Sequence, residues 1–491
     1  MSQYWILAAI LLPILGGLLI PLLPFSKKRG MHLYIEAVVL LTSVIVWLLL
    51  LGGTTQVFDL VHFVNDLSIS FKIDGMTMVF AGLVAVLWPL ATLYAFEYME
   101  HSDHVKAFFM FYVMTYGVTL GIAFASDMVT MYFFYELLTL VTVPLVMHGL
   151  NRESILAVRK YLYYSIGGAA FALMGMIFLM VYGNTCEFTL GGVMNAGVLQ
   201  EHRDLLLWVY FFSFMGFGVK AAVWPLSSWL PQAGVAPTPV TALLHAVAVV
   251  NAGAFAIIRL TYYSFGADFL RGSWVQDVCM AIAVFTIVYG CSRAVKETHI
   301  KRRLAWSTVS NLSYILFGAT VMTPLGLVGA LAHFVIHGFM KICLFLCAGA
   351  FMHQTGKTHV YHMDGMGKRM KVVFGCFAIS GLGLMGVPGL AGFISKWNLT
   401  VAAVESSNVM AYVGIAGLLL SAFLTAIYIL SVVVRAYFPK NQTELAELET
   451  VRDPSWRMCL PLVVCAVSVI VLGFCSEPLI DFFQAVALGL E

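Results

Sequence analysis

Residues 325–352 read LGLVGALAHFVIHGFMKICLFLCAGAFM, an apolar run of 28 residues interrupted by His333, His337 and Lys341. A helix needs about 20 apolar residues to cross the hydrocarbon core of a bilayer, so this stretch predicts a membrane-spanning helix. The three polar residues are spaced i, i+4 and i+8, which places them about one turn apart on one helical face. The run therefore predicts a membrane protein with a stripe of titratable groups inside it.

The whole chain has the composition of a membrane protein. Of its 491 residues, 61% are hydrophobic and 11% are charged, whereas an ordinary globular protein carries about 25% charged residues. The first apolar run begins at Tyr4 without a basic leader or an A-x-A cleavage site, which indicates a retained span. The net charge of +2 is too small, and the basic residues too confined to loops, for a nucleic-acid partner.

Apolar runs between polar segments predict an all-α polytopic membrane protein with about fourteen transmembrane helices and one membrane domain, residues 1–491. The predicted spans cover residues 4–24, 33–52, 75–98, 107–124, 127–149, 155–182, 205–223, 239–263, 276–294, 304–322, 325–352, 372–399, 411–437 and 458–476.

The basic residues agree with this number of spans. Placing the loop after the first span in the cytoplasm puts 20 of the 27 Lys and Arg residues inside and only Lys72, Arg203 and Arg271 outside, as the positive-inside rule requires. The inside residues are Lys27, Lys28, Arg29, Lys106, Arg152, Arg159, Lys160, Arg293, Lys296, Lys301, Arg302, Arg303, Lys357, Lys368, Arg369, Lys371, Arg435, Lys440, Arg452 and Arg457. We therefore expect a multi-pass protein of the cell (inner) membrane with both termini on the external side.

Two spans carry Gly and Pro residues that would leave backbone groups unsatisfied in lipid. The first interruption runs from Gly216 to Pro231 and the second from Gly381 to Gly392, and each has a lysine beside it, Lys220 and Lys396. Paired breaks of this kind indicate an inverted-repeat transporter. We predict N-terminal helices 1–3 in residues 1–106, repeat one (helices 4–8) in 107–263, repeat two (helices 9–13) in 276–437 and helix 14 in 458–491.

Glu136 lies near the middle of the fifth span, where an acidic residue costs about 2.5 to 3.5 kcal/mol unless it has a partner, a proton or water. Burial raises the pKa of a carboxyl group and a nearby lysine lowers it, so a Glu–Lys pair can switch on one proton. Lys220 is the candidate partner. A static ion pair that only fixes helix packing is the alternative.

His333, His337 and Lys341 can relay protons, because imidazole accepts and donates at its two nitrogens and a desolvated lysine titrates readily. Two histidines four apart can also bind zinc, but the glutamate of HExxH and a third ligand are missing. His245, in the eighth span, can connect the two halves. Arg259, near the outer end of that span, is expected to extend to the interface.

The nine cysteines form no CxxC motif, so we expect no metal or iron–sulfur cluster in this chain. Nothing resembles a quinone, flavin or nucleotide site, and no cofactor is expected. A membrane-embedded hydrolase or receptor is disfavoured because neither a nucleophile–base pair nor a large extramembrane module is evident.

Four motifs carry a family resemblance: FYEL at 134–137, WLPQA at 229–233 with APTPVTALLH at 236–245, AHFVIHGFMK at 332–341, and GFISK at 392–396. They resemble the antiporter-like subunits shared by respiratory complex I, membrane-bound hydrogenases and Mrp-type cation/proton antiporters. The resemblance covers spans 3 to 13. It implies two inverted five-helix repeats with discontinuous helices 7 and 12.

By the same resemblance, Glu136 and Lys220 form the modulating pair, His245 and the eleventh-span face form the central relay, and Lys396 lies on the exit side. The sequence departs from the family where Asn251 replaces a frequent lysine, Gln232 an acid and Ser227 a histidine. Lys396 and the eleventh-span histidines resemble the Mrp-like and distal complex I branches.

The leading hypothesis is a proton- or cation-translocating subunit of a complex I-like or membrane-bound hydrogenase complex, working in the lipid bilayer beside homologous antiporter-like and small membrane subunits. Iron–sulfur or hydrogenase-type peripheral subunits would then hold the redox centres. The alternative is a subunit of an Mrp-type Na+/H+ antiporter. Both hypotheses use the same relay and leave open whether the ion is H+ or Na+.

Overall fold

The structure is a computed structural model that describes residues 4–25, 27–64, 67–439 and 450–490. Within these ranges most of the chain is helical. The α-helices are α1 Tyr4–Leu19, α2 Lys28–Leu51, α3 Gly75–Tyr98, α4 Val105–Phe124, α5 Met128–Val146, α6 Arg152–Tyr182, α7 Ala196–Glu201, α8 Arg203–Gly218, α9 Trp229–Ala233, α10 Thr238–Ala246, α11 Val249–Ile258, α12 Ala267–Leu270, α13 Trp274–Lys296, α14 Ile300–Val321, α15 Pro324–Thr355, α16 Lys371–Met385, α17 Ala391–Glu405, α18 Val409–Tyr437, α19 Trp456–Phe474 and α20 Glu477–Leu488.

Every predicted span coincides with one of these helices or with a pair of them. Among the described residues, ten helical segments, with 238–265 counted as one, are long and apolar enough to cross a membrane by length and composition, and α1 and α16 are shorter apolar helices. The polytopic helical membrane fold is confirmed. The number fourteen stays a prediction, and Lys440, assigned to a cytoplasmic loop, lies outside the described residues.

Both predicted helix breaks are present. The seventh span leaves helical geometry after Gly218 and resumes at Trp229, and the twelfth leaves it after Met385 and resumes at Ala391. Gly386 adopts a positive φ of 91°, a conformation that favours glycine. At the second break the two helical segments approach so closely that a Cβ on Gly392 would lie 1.9 Å from the carbonyl oxygen of Gly383.

The eighth span contains a third break, which corrects the prediction of a continuous helix over 239–263. Helix α10 ends at Ala246 and α11 begins at Val249, because Ala248 has φ −89° and ψ −87°. The Asn251 side chain donates to the carbonyl oxygen of Ala246 at 3.0 Å and so satisfies a backbone group that the break exposes. The helix then continues as a π-helix over Arg259–Phe265.

Side-chain caps define several helix starts. Asp74, Asp127 and Thr323 each accept a hydrogen bond from a backbone amide of the first turn, and Asn151 forms a capping box with Ser154. Each cap satisfies an amide that has no intrahelical partner, which stabilises the helix by about 1 kcal/mol.

One β-hairpin, which the sequence analysis did not anticipate, connects α2 to α3. Strands β1 (Phe58–Val64) and β2 (Leu67–Phe71) pair antiparallel, and Phe71 also forms a bridge to Ala125 after α4. The hairpin thereby lies against the start of α5.

Burial separates central from peripheral helices. The eighth span is wholly buried and α15 almost so, whereas only about a third of α6 and of α19 is buried. Large apolar side chains cover the outside, including Leu51, Val409 and Phe474, as expected where the solvent is lipid. The polar side chains singled out from the sequence lie on helices of the interior or, for Lys220, in the first helix break.

Candidate functional site

Lys220 lies in the first helix break and reaches across to α5. Its Nζ donates to the main-chain carbonyl of Tyr135 and lies 3.4 Å from the centroid of the Tyr135 ring. The Tyr135 hydroxyl in turn donates to the carbonyl of Phe217 at 3.1 Å, just before the break. Lys220 is 1% exposed. It therefore lies beside Glu136 but contacts the preceding residue, and no ion pair joins the two side chains among the described residues.

Glu136 is only partly buried and faces a lateral cavity. Its Oε1 atom is buried and has no hydrogen-bond partner in the part of the chain that the structure describes. The cavity has a volume of about 490 Å³ and a mostly apolar lining that includes Leu67 of the hairpin and Met176 of α6. The carboxyl group thus lies between Lys220 and the side of the molecule.

The eighth span packs directly on the first break. A Cβ on Gly253 would lie 2.5 Å from the amide nitrogen of Ala221 and 3.0 Å from Cβ of Lys220. Only glycine permits this approach. Helix α11, which carries Asn251, therefore contacts the backbone that holds Lys220.

His245 lies in the last turn of α10, just before the break in the eighth span. It is fully buried, its ring centroid is 4.8 Å from that of Phe345 on α15, and neither ring nitrogen has a partner among the described residues. A buried imidazole without fixed partners is free to accept and donate protons through groups that come within reach.

The predicted face of α15 is present. His333 and His337 stack with ring centroids 5.9 Å apart, and both side chains are 0% exposed. His333 Nδ1 is 3.0 Å from the Ser395 hydroxyl of α17, and its ring stacks on Tyr314 at 4.9 Å. Both nitrogens of His337 lack a partner among the described residues.

Lys341 and Lys396 lie at the two ends of the group that contains His333 and His337. Lys341 is 0% exposed and donates to the Ser307 hydroxyl at 2.5 Å and to the Leu304 carbonyl at 3.3 Å. Lys396 donates to the carbonyls of Leu384 and Met385, at 2.8 and 2.9 Å, at the carboxyl end of α16. Its ammonium thus complements the negative end of the broken helix.

Tyr314 connects Lys396 to the histidines, since its ring lies 5.4 Å from the Lys396 Nζ and stacks on His333. His333, His337, Lys341 and Lys396 therefore form one contiguous group. Glu136 and Lys220 form a second group around Tyr135, and His245 lies on α10, which packs against α15. In the described residues no group of three or more His, Cys, Asp or Glu side chains is placed to hold a metal ion.

The expectation that Arg259 extends to the interface is wrong. Arg259 is 0% exposed, and its two terminal nitrogens donate to Asp74 at 2.8 and 2.7 Å. Burial alone would raise the pKa of Asp74, but the Arg259 guanidinium outweighs it and the pKa falls to about 2. Asp74 precedes α3 and supplies a bidentate partner, so the arginine has no need to reach water.

A buried cation also lies where the sequence predicts a loop. Lys301, in the first turn of α14, is 4% exposed and donates to the Ala236 carbonyl at 2.6 Å. It lines a cavity of about 450 Å³ with Gln232, His299 and Arg302. Burial, with Arg302 and Lys301 nearby, lowers the pKa of His299 to about 4. The five Lys and Arg residues between positions 293 and 303 hid this lysine, because positive residues beside a span are usually solvated.

Residues 125–437, more than half of the chain, match the family model described as NADH:quinone oxidoreductase/Mrp antiporter, TM. The chain belongs to this family. Residues 63–109 of the antiporter-like subunit match a second model, NADH-Ubiquinone oxidoreductase (complex I), chain 5 N-terminus. The resemblance inferred from the four motifs is therefore confirmed.

Relatives of this antiporter-like subunit come from both branches of the family. The NADH-quinone oxidoreductase subunit N of Desulforudis audaxviator is 29% identical over 425 residues, which cover 84% of this chain and 83% of the relative. The Na(+)/H(+) antiporter subunit A1 of Staphylococcus haemolyticus is 27% identical over 493 residues, covering 95% of this chain and 60% of the relative. Both are named as subunits of larger assemblies.

Two solved structures share the fold. A chain of the Mrp complex from Dietzia sp. DQ12-45-1b superposes with a TM-score of 0.83 at 20% identity, covering 100% of this chain and 98% of that one. A chain of the membrane-bound sulfane sulfur reductase, an archaeal respiratory membrane complex, gives a TM-score of 0.85 at 22% identity, covering 99% and 97%.

Proposed function

We propose that this antiporter-like subunit moves protons across the membrane along Glu136, Lys220, His245, Lys341, His337, His333 and Lys396. The observation that carries the proposal is the buried, stacked group on α15, which connects to Lys396 through Tyr314 and Ser395. Ionisable side chains at membrane depth are costly and mark ion pathways by default.

In this scheme Glu136 and Lys220 act as the switch. Because Lys220 donates to a neutral carbonyl and not to a carboxylate, its charge is held only weakly, and protonation of the nearby Glu136 removes the remaining attraction. Lys220 then releases its proton toward the eighth span, whose helix α11 lies against the same backbone. His245, just before the break and in contact with Phe345 of α15, then passes the proton to the α15 group.

Lys396 completes the path on the exit side. Its ammonium is held by the carboxyl end of α16, and the positive φ of Gly386 ends that helix where the lysine approaches. In the topology we propose, the termini face outward, Lys301 and its cavity face the cytoplasm, and residues 107–263 and 276–437 form the two inverted repeats. The cavity beside Lys301 would admit protons from the cytoplasm.

The parent assembly is proposed to be a redox-driven membrane complex, such as a complex I-like dehydrogenase or a membrane-bound hydrogenase. Homologous antiporter-like and small membrane subunits would lie beside the chain, and peripheral iron–sulfur subunits would carry the electron chemistry. The relative named NADH-quinone oxidoreductase subunit N supports this assignment. An Mrp-type Na+/H+ antiporter is the second candidate, supported by the relative named antiporter subunit A1.

The test is proton uptake into proteoliposomes that contain the assembled complex. Glu136→Gln, Lys220→Ala and Lys396→Ala are each expected to abolish uptake while assembly is unchanged, and Lys357→Ala, at an exposed position, serves as the control. Uptake at the wild-type rate in assembled variants would refute the relay. Varying sodium at fixed pH separates the two ions, and co-purification with iron–sulfur subunits separates the two parent assemblies.

A further inference from the structure

A chain of buried hydroxyl groups leads away from Lys341 to the far side of the second repeat. Lys341 Nζ donates to Ser307 Oγ at 2.5 Å, and Ser307 Oγ lies 2.5 Å from the hydroxyl of Tyr428 on α18. The Tyr428 hydroxyl donates to Thr425 Oγ1 at 3.3 Å. All of these side chains are at most 2% exposed. The chain joins α15, α14 and α18 within the core.

The hydroxyl chain ends at a thiol. Cys291 Sγ on α13 lies 3.6 Å from Thr425 Oγ1, 3.0 Å from Ser421 Oγ and 3.1 Å from Ser310 Oγ. The neighbours of the thiol donate to main-chain carbonyls: the Ser310 hydroxyl to the carbonyl of Ile287 at 2.8 Å, and the Thr425 hydroxyl to the carbonyl of Ser421 at 2.7 Å. The chain is therefore closed at its far end and does not lead to another titratable base.

Lys341 has no carboxylate partner among the described residues. The titratable groups that face it are His245 on α10, His333 and His337 on its own helix, Cys291 on α13 and Tyr428 on α18. None of these side chains is a carboxylate, and the ammonium donates to a hydroxyl and to a main-chain carbonyl.

Serine, threonine, tyrosine and cysteine side chains both donate and accept hydrogen bonds. When Lys341 is an ammonium ion, it donates to Ser307 and the donors run away from it. When Lys341 is a neutral amine, its lone pair can accept from Ser307, and Tyr428 can donate to Ser307 in turn. The hydrogen bonds within such a chain polarise one another, so the direction of one bond affects the next.

We propose that Ser307 and Tyr428 form a hydroxyl branch, ending beside the Cys291 thiol, that takes the place of a counter-ion for Lys341, and that the Ser307–Tyr428 hydrogen bond reverses each time the lysine gains or loses its proton. Ser307 and Tyr428 are positioning residues that set the proton affinity of Lys341. The proposal rests on the relay function assigned to Lys341 above. It adds a branch on α13, α14 and α18 to a path that otherwise follows α10, α15 and α17.

The first test is the pH profile of proton uptake by the assembled complex in proteoliposomes. Tyr428→Phe removes the acceptor of Ser307 and destabilises the ammonium form, so uptake is expected to fall off at a pH lower by about one unit, a tenfold change in proton affinity. Ser307→Ala should shift the profile in the same direction, and Ser307→Thr should restore it. Tyr210→Phe, which removes a buried tyrosine–threonine bond in the first repeat, is the matched control.

An unchanged profile in Tyr428→Phe and Ser307→Ala, with uptake still abolished in Lys341→Ala, would overturn the branch and leave the relay intact. Uptake at the wild-type rate in Lys341→Ala would instead overturn the relay itself.

A second readout does not depend on uptake. The S–H stretching band of Cys291 reports its hydrogen bond, and Cys291→Ser identifies that band in the infrared spectrum. In the wild-type complex the band is expected to shift across the pH range in which uptake changes, and the shift should disappear in Lys341→Ala and in Tyr428→Phe. A Cys291 band whose position does not change with pH, or still shifts with pH in Lys341→Ala, would contradict the proposal.

Discussion

Arg259 and Lys220 are both buried cations, in the eighth span and in the first helix break, but their partners differ. The Arg259 guanidinium binds both oxygens of Asp74 and lies 4.7 to 5.1 Å from the rings of Phe188, Phe255 and Tyr263. Among the residues that the structure describes, the Lys220 ammonium contacts only the carbonyl and the ring of Tyr135. The charge of Arg259 is balanced by a carboxylate, and the charge of Lys220 is not.

In the function proposed above, this difference separates the structural charge of Arg259 from a charge on Lys220 that comes and goes with a proton. A bidentate arginine–carboxylate pair keeps its charge at every accessible pH and fixes two helices against each other. A lysine that donates to a carbonyl loses little when its proton departs, so it can alternate between two states. Three substitutions, in decreasing order of expected effect, test this contrast.

Lys220→Arg is expected to lower proton uptake by about 100-fold or more, the range for losing a proton-transfer group. Arginine keeps the charge and can still donate to the Tyr135 carbonyl, but it does not release its proton in a protein. Uptake by the assembled complex in proteoliposomes is the measurement, with a native gel to verify assembly. Substantial uptake in this variant would mean that Lys220 only needs to be positive.

Asp74→Asn is expected to destabilise the folded protein by about 3 to 5 kcal/mol, because it leaves the Arg259 charge buried without a counter-ion. Thermal unfolding in detergent measures this loss. Asp268→Asn, which removes an exposed pair with Arg271, is the matched control and should cost less than about 1 kcal/mol. Equal losses in the two variants would contradict a compensated buried pair.

The stability that Asp74 contributes depends on pH. Its pKa is lowered from 3.8 to about 2, so its contribution of about 2 kcal/mol is present above about pH 4 and is lost as the pH falls through 2. The Asp74→Asn protein should lack this acid-dependent part of its stability.

Arg259→Lys is expected to have the smallest effect. Lysine keeps the charge but cannot bind both carboxylate oxygens with a planar fork, so stability should fall by about 1 kcal/mol while uptake per assembled complex stays within about twofold. Thermal unfolding and uptake measured on the same preparation provide the check. A large loss of uptake at normal assembly would place Arg259 in the relay.

Periodicity and backbone chemistry made much of this architecture predictable. The spacing of His333, His337 and Lys341 alone fixes one face of a long helix, and that face is present. The glycines and prolines around Lys220 and Lys396 predict the two breaks, since each freed backbone group needs a partner. These are local signals, readable within one or two helical turns.

Contacts between distant parts of the chain were not predictable in this way. Asp74 and Arg259 are 185 residues apart, and Ser307 and Tyr428 are 121 apart, so no local pattern joins them. The break after Ala246 has neither glycine nor proline beside it, and the Asn251 amide that satisfies it differs from the lysine that the family resemblance leads one to expect. Lys301 was hidden because its neighbours are ordinary basic residues of a loop.

The π-helical segment Arg259–Phe265 has a bearing on the geometry of the whole eighth span. Winding with i→i+5 bonds accommodates more residues per turn than an α-helix does, so the segment acts as a phase shift between its two ends. Its first residue, Arg259, is anchored by hydrogen bonds to Asp74, and its last residue, Phe265, leads into the next loop. Since His245 lies on the anchored side, deleting a single residue from the segment would rotate the following end, which leads to α12, by roughly 100° relative to Arg259. The direction in which the chain enters the next loop is thus determined by the winding of the backbone in this segment.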